Sequence, residues 1–166
     1  MLVDILRGTP IWVYVLFAYL LWMGAWRLRP RVRNVQSTWI APLLFIAWGL
    51  SGLAGREGSL SSTLACWIVG ATVGIAIGHR IEPAPSVDRA TGTILQPGSL
   101  IPLLRNLAIF GAHYLLHVAA VISPGAASRL LSWDVVVSGL SAGYFVSWGL
   151  LFARAWRDAP ARTIAG

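Results

Sequence analysis

Five apolar stretches set the frame of this chain: residues 10–26, 39–54, 63–78, 100–122 and 133–153. Each is apolar all the way round its helical projection instead of along one face. That is the pattern of a helix with lipid or protein on every side. The ends carry helix punctuation. Thr9 and Pro10 precede the first stretch, Ser37 and Thr38 the second, and Ser61 and Ser62 the third. Ser99 precedes the fourth, Pro124 follows it, and Ser132 precedes the fifth. A helix that crosses about 30 Å of hydrocarbon needs about 20 residues. The fourth and fifth stretches meet that length, while the first three are short and depend on snorkelling arginines and local thinning of the bilayer. The pattern therefore predicts an all-α, polytopic integral membrane protein, a single domain over residues 1–166 with five transmembrane helices. A soluble helical bundle would need a polar face on each helix. These stretches have none.

Composition agrees: 57% of the 166 residues are apolar or aromatic and 11% are charged, against about 25% charged in soluble domains. All 13 basic residues are arginines, and with six acids they give a formal charge of +7. In a soluble domain such a balance would suggest nucleic acid. Here the charges stand between apolar blocks, which points to membrane topology and anionic lipid headgroups and not to a nucleic-acid partner. Arg27, Arg29, Arg31 and Arg33 follow the first stretch, Arg80 and Arg89 follow the third, Arg105 lies just inside the fourth, and Arg154, Arg157 and Arg162 follow the fifth. Those ten fall on one side, against Arg7, Arg56 and Arg129 on the other. The positive-inside rule then places the N-terminus outside and the C-terminus in the cytoplasm. The first stretch reads as a retained span, because its charge follows the apolar run and no small-residue cleavage site comes after it. Trp26, Trp39 and Trp156 would mark the cytoplasmic interface, and Trp12, Trp67 and Trp133 the outer one.

The longest connection, residues 79–99, is cytoplasmic in this frame, and its "VDRATGTI" carries a hairpin-like turn signal around Thr91 and Gly92. The single cysteine, Cys66, excludes an intramolecular disulfide and a thiolate metal cluster.

Span three contains "GATVGIAIG", with Gly70, Gly74 and Gly78 four apart, and span five contains Gly139 and Gly143. Glycines at that spacing line one helix face and admit a close neighbouring backbone. Spans three and five are expected to pack together on these faces.

Span four carries "GAHYLLH". At about 100° per residue, His113 and His117 flank Asn106 by about 20° on either side, with Tyr114 next to them. This polar stripe of Asn106, His113, His117 and Tyr114 is costly against lipid, so it is expected to turn into the bundle, toward span three or five. Histidines four apart can chelate one metal ion, or one can ligate a haem iron. The third ligand and the glutamate of a catalytic zinc helix are missing, because "HYLLH" is not HExxH. The plainer use is neutral, hydrogen-bonded side chains that join helices. No cofactor is expected on that reading; haem or a divalent metal on His113 and His117 is the second one.

Arg105, about 8 Å into its helix at 1.5 Å per residue, can snorkel to the headgroups or share an anion with Arg27, Arg29, Arg31 and Arg33. The six acids stand at span ends or in loops, which weighs against a cation-coupled pump. No serine–histidine or paired-carboxylate arrangement inside a span suggests an enzyme.

The segments "WRLRPRVRN", "TWIAPLLFIAWGL", "GATVGIAIGHRI" and "LQPGSLIPLLRNLAIFGAHY" resemble a family of small, uncharacterised bacterial inner-membrane proteins over residues 10–150. The layout is also similar to that of CcdC-like membrane proteins, which are associated with cytochrome c maturation. The resemblance implies a multi-pass location in the bacterial inner membrane and carries no established activity. The expected function is a structural or interaction component, with the lipid bilayer and a second copy or another membrane protein as partners. A small oligomeric transporter or channel-like protein is a further alternative.

Overall fold

The structure, a computed structural model, describes residues 8–26, 28–29, 31–34, 40–51, 59–81, 86–88, 91, 93–96 and 98–159. In chain order the elements are α1 (Ile11–Trp26), β1 (Arg31–Asn34), α2 (Ile40–Ser51), α3 (Leu60–Ile81), β2 (Ser86–Asp88), β3 (Thr93–Gln96), α4 (Ile101–Ile122), a single 3-10 turn (Pro124–Ala126) and α5 (Ala127–Asp158). The chain is mostly helical. Among the described residues three helices, α3, α4 and α5 with its leading turn, are long and apolar enough to cross a membrane, and α1 is a shorter apolar helix.

Helix ends follow local chemistry. The Val13 N–H donates to the Pro10 carbonyl at 3.0 Å as α1 begins. Ser59, and not Ser61 or Ser62, caps α3: its hydroxyl accepts the Ser62 N–H at 3.2 Å, and its carbonyl accepts the Thr63 N–H at 3.2 Å. The helix therefore starts three residues before the expected position 63 and runs on to Ile81, taking in His79 and Arg80. Ser99 accepts the Ile101 N–H at 3.1 Å as α4 begins. Ser132 is not a cap. The compact turn Pro124–Ala126 feeds straight into α5 at Ala127, because the run that follows is rich in good helix formers such as Ala127, Arg129, Leu130 and Leu131. Ser37 and Thr38 lie outside the described residues.

The chain divides into two compact units. The first holds α1, α4 and the start of α5; the second holds α2, α3, the strands and α5 from Ser132 onward.

In the first unit α1 runs antiparallel to α4. The Thr9 and Tyr114 hydroxyls share a hydrogen bond, the Phe17 and Phe110 rings stand 6.3 Å apart, and Gly24 lies against Leu103, whose Cβ and Cγ would be 2.9 Å from a side chain placed there. Gly98 sits on the backbone of Leu28. Val13 and Gly24 are the buried positions of α1, and α4 has none among its residues.

The second unit is built on α5. Its glycines meet those of α3 in parallel: a Cβ on Gly70 or Gly74 would overlap the carbonyl oxygen of Val136 or Leu140, and one on Gly139 or Gly143 would overlap that of Trp67 or Ala71. Backbones in such contact place a Cα hydrogen of each glycine against a carbonyl, a weak hydrogen bond that is repeated four times along the seam. Gly78 continues the face against Ser147. On another side of α5, α2 packs antiparallel, with the Phe45 and Phe145 rings stacked at 4.2 Å.

The three strands form one antiparallel sheet in the order β1-β3-β2. Val32 pairs with Leu95 and Arg33 with Ile94, while Ser86 and Val87 oppose Leu95 and Ile94 from the other side. The β2–β3 pair is the hairpin signalled by "VDRATGTI". β1 departs from the all-α expectation, since the arginine-rich segment after α1 is a strand over four residues. Its alternation of arginines with Leu28, Pro30 and Val32 is a strand period that the charges disguise. Ile94 is buried and Val32 is exposed, so the sheet has an inner and an outer face.

Candidate functional site

The polar stripe of α4 stands beside the row that meets α1. Leu103, Phe110 and Tyr114 make that row, and the axis through Asn106, His113 and His117 lies about 60° around the helix from it. Asn106 and His113 are half-buried and His117 is exposed. His117 thus departs from the expectation that the whole stripe turns inward. Its Nδ1 lies 2.9 Å from the carbonyl of His113, one turn back in the same helix. A carbonyl only accepts, so Nδ1 carries the hydrogen, and the lone pair of the neutral ring is on Nε2. This bond stays within α4 and joins no second helix. Tyr114 does bridge, through its hydroxyl, to Thr9. Among the described residues no three histidine, cysteine or acidic side chains are grouped so as to hold a metal ion.

The arginines are distributed as follows. Arg29 is exposed just after α1, and Arg31 and Arg33 belong to β1. Arg27 lies outside the described residues. Arg105 is half-buried, and its Nε donates to the Asn106 side-chain oxygen at 3.3 Å. The guanidinium and the polar stripe are therefore continuous at the start of α4.

The most buried polar groups lie elsewhere, on α5. Because the helix begins at Ala127, Asp134 is not at its end but about 10 Å inside it at 1.5 Å per residue. It is 3% exposed, and Ser141 and Ser147 are buried as fully. This corrects the expectation that every acid stands at a span end or in a loop. In helical projection Ser138, Ser141 and Phe145 fall within about 40° of Asp134, on the far side of α5 from Gly143. Phe145 stacks on Phe45 of α2, so this stripe faces α2. The Ser141 hydroxyl donates to the Val137 carbonyl at 2.8 Å.

Gly49 of α2 is where polar tips from two helices converge. A Cβ there would lie 2.8 Å from the Trp67 indole nitrogen and 3.2 Å from the Ser138 hydroxyl. The Trp67 N–H is buried without a hydrogen-bond partner, as is the Ser147 hydroxyl. Trp67 therefore turns its polar edge into the helices and does not sit in an outer aromatic belt. Trp12 and Trp133, at 62% and 58% exposure, have the outward placement that such a belt needs. Trp39 lies outside the described residues. An unpartnered buried N–H costs about 1–3 kcal/mol, which makes this corner of the second unit its polar weak point. The missed signal was the compact Pro124–Ala126 turn, which shifts Asp134 from a helix end to a helix interior.

No curated protein and no solved structure matches the chain. One family model does match, over residues 1–162, with the description "Family of unknown function (DUF6622)". With nearly its whole length covered, the chain belongs to this family of unknown function.

Proposed function

We propose that the chain is a multi-pass protein of the bacterial inner membrane in which all five helices cross, with the N-terminus outside and the C-terminus in the cytoplasm. It serves there as a structural or interaction component. The observation that carries this reading is the direction of packing inside each unit. α1 is antiparallel to α4 through Thr9–Tyr114 and Phe17–Phe110. α2 is antiparallel to α5 through Phe45–Phe145 and Gly49–Ser138, while α3 and α5 are parallel along their glycines. Five alternating crossings require each of these relations. The β1–β3 pairing adds that the segments after α1 and after α3 reach one sheet, as they must if both lie on the same side.

The short helices fit with a local adjustment. α1 has 16 residues and α2 has 12, or about 24 Å and 18 Å of rise, and a thinned bilayer with snorkelling side chains accommodates such mismatch. On the cytoplasmic side of this arrangement, Arg27, Arg29, Arg31 and Arg33 fall within seven residues of sequence. Anionic headgroups are the partner that such a row of guanidinium groups would meet, each contributing about 1 kcal/mol near the surface. A second copy of the chain or another membrane protein is the remaining partner class.

Topology reporters test the arrangement. Fusions after Gly58 and Gly125 should read external and one at Gly166 cytoplasmic. A cytoplasmic signal at either internal site, or an external one at the C-terminus, would falsify the five-crossing arrangement.

A further inference from the structure

We propose that α1 is a dimerisation helix, with two copies of the chain paired in parallel along the exposed row Trp12, Val15, Tyr19, Trp22 and Trp26. The inference rests on the membrane reading above and deepens it, because it names a second copy as the partner and α1 as the surface that meets it.

Spacing sets the row. Its members are three, four, three and four residues apart, the alternation of one seam of a left-handed helix pair. At about 100° per residue they fall within about 80° of arc. Val13, Phe17 and Gly24, on the side that meets α4, are centred about 160° away. Exposure follows the same division: Val13 and Gly24 are buried, while all five residues of the row are 49–64% exposed. Both sides of the helix are apolar, so they differ in shape and not in hydrophobicity. All three tryptophans of α1 stand on the side away from α4.

An interfacial belt accounts for Trp12 and Trp26 at the two ends. It does not account for Tyr19 and Trp22, which stand about 10 Å and 6 Å inside Trp26 along the helix. The Tyr19 and Trp22 rings are 6.2 Å apart and the Trp22 and Trp26 rings 5.6 Å apart, so the three form one continuous aromatic ridge. Hydrocarbon offers no acceptor to the Tyr19 hydroxyl. In a parallel pair the two Tyr19 hydroxyls stand at one depth, and each both donates and accepts.

Two arguments select a second copy as the occupant. Copies inserted with the same topology have parallel α1 helices, and a parallel seam pairs each residue with itself about a two-fold axis, so one row supplies both surfaces. The area is sufficient as well. At about 150–250 Å² for a whole aromatic side chain, the exposed parts of the four rings amount to roughly 450 Å² per copy. With Val15 added, a pair reaches the roughly 1,000 Å² that a specific interface needs. α1 itself carries no charged side chain to oppose the pairing.

Cysteine cross-linking of the full chain in phosphatidylcholine vesicles tests this. In a Cys66→Ala background, Val15→Cys places one thiol on the row, and Leu21→Cys places one on an exposed residue about 140° from its centre. Copper phenanthroline joins two thiols that meet as a disulfide and passes their electrons to oxygen. Each chain has one thiol, so every disulfide joins two copies. Val15→Cys is expected mainly as cross-linked dimer and Leu21→Cys mainly as monomer. In the otherwise wild-type chain, Trp22→Ala should weaken dimerisation by about tenfold or more, read by single-molecule photobleaching as the protein is diluted in lipid. Its unfolding temperature should stay close to that of the wild type, since the ring stands away from α4. If Val15→Cys stays monomeric, or Leu21→Cys cross-links as readily, lipid or another part of the same chain covers the row and the inference fails. If the wild type is dimeric and Trp22→Ala dimerises as well, the pair uses another face; the inference fails and the interaction reading stands. Failure of the membrane reading shows separately: a membrane-impermeant maleimide would then label the Val15→Cys chain from water.

Discussion

Replacing Gly74 by leucine should be among the most damaging single substitutions on α3, whereas replacing the adjacent Val73 by leucine should be nearly silent. Gly74 faces the α5 backbone so closely that even a Cβ would overlap the Leu140 carbonyl oxygen, with the Leu140 carbonyl carbon and the Tyr144 nitrogen each at 2.9 Å. No rotamer relieves a clash with backbone, so the helices must separate. Separation forfeits the neighbouring close contacts at Gly70, Gly139 and Gly143 as well. At about 0.5–1 kcal/mol for each Cα–H···O contact, and about 1–3 kcal/mol for overpacking, the loss should be roughly 3 kcal/mol or more. Val73 is 45% exposed, and surface changes usually stay within about 0.5 kcal/mol. Gly111 is an internal control, since nothing lies within 4 Å of a Cβ there. Gly111→Ala should be neutral or gain up to about 1 kcal/mol of helix propensity. Thermal unfolding of the purified chain in a mild detergent reads all three. Equal losses for Gly74→Leu and Val73→Leu, or a loss for Gly111→Ala as large as that for Gly74→Leu, would refute the argument from backbone proximity.

Four further outcomes follow from the same geometry. Ile94, the buried residue of the central strand, should cost about 2–4 kcal/mol when cut to alanine, read as lost amide protection in β1 and β2; unchanged protection there would mean that the sheet does not depend on this side chain. Ser59→Ala should remove the α3 cap and cost about 1 kcal/mol, and an unchanged unfolding temperature would show that Ser61 or Ser62 substitutes for it. His113→Gln keeps a donor and an acceptor and should fold almost as the wild type does, whereas His113→Leu should cost about 0.5–2 kcal/mol; stoichiometric haem or metal that disappears in the glutamine variant would overturn that reading of the histidine. In hydrogen exchange α2 should open at lower free energy than α3, and equal protection of the two helices would contradict the difference in their contacts with α5.

The glycine seam is legible in the sequence because its signature is local. Residues four apart in one helix share a face whatever else the chain does, and glycine there admits a backbone. The sheet is much less legible. β2 and β3 announce themselves through a turn, but β1 joins β3 across about sixty intervening residues, a non-local pairing that no window of sequence reports. Its arginines also read more readily as topology than as strand. Asp134 was hidden for a different reason. Ser132 has the chemistry of a helix cap, and only the tight turn at Pro124–Ala126 shows that the helix is already under way. Burial of the carboxyl is a tertiary property that no window of sequence reports. For the histidines the residues are legible and their surroundings are not: periodicity groups His113 and His117 with Asn106, but it cannot tell that His117 spends its Nδ1 hydrogen on its own helix.

The two sides of α5 differ in kind, and this separates what is fixed in the second unit from what is free to adjust. Toward α3 the contacts are backbone on backbone at four glycines, where any displacement along or away from the seam loses every contact at once. Toward α2 they are side-chain tips: two stacked rings and a serine hydroxyl beside Gly49, which the Trp67 indole edge of α3 also meets. Rings can slide and hydroxyls can rotate at small cost, whereas a carbonyl pressed on a Cα cannot. Among the described residues α2 is also the shortest α-helix, with 12 residues. A strain placed on the second unit would therefore be taken up by α2, with α3 and α5 as the rigid pair against which it moves.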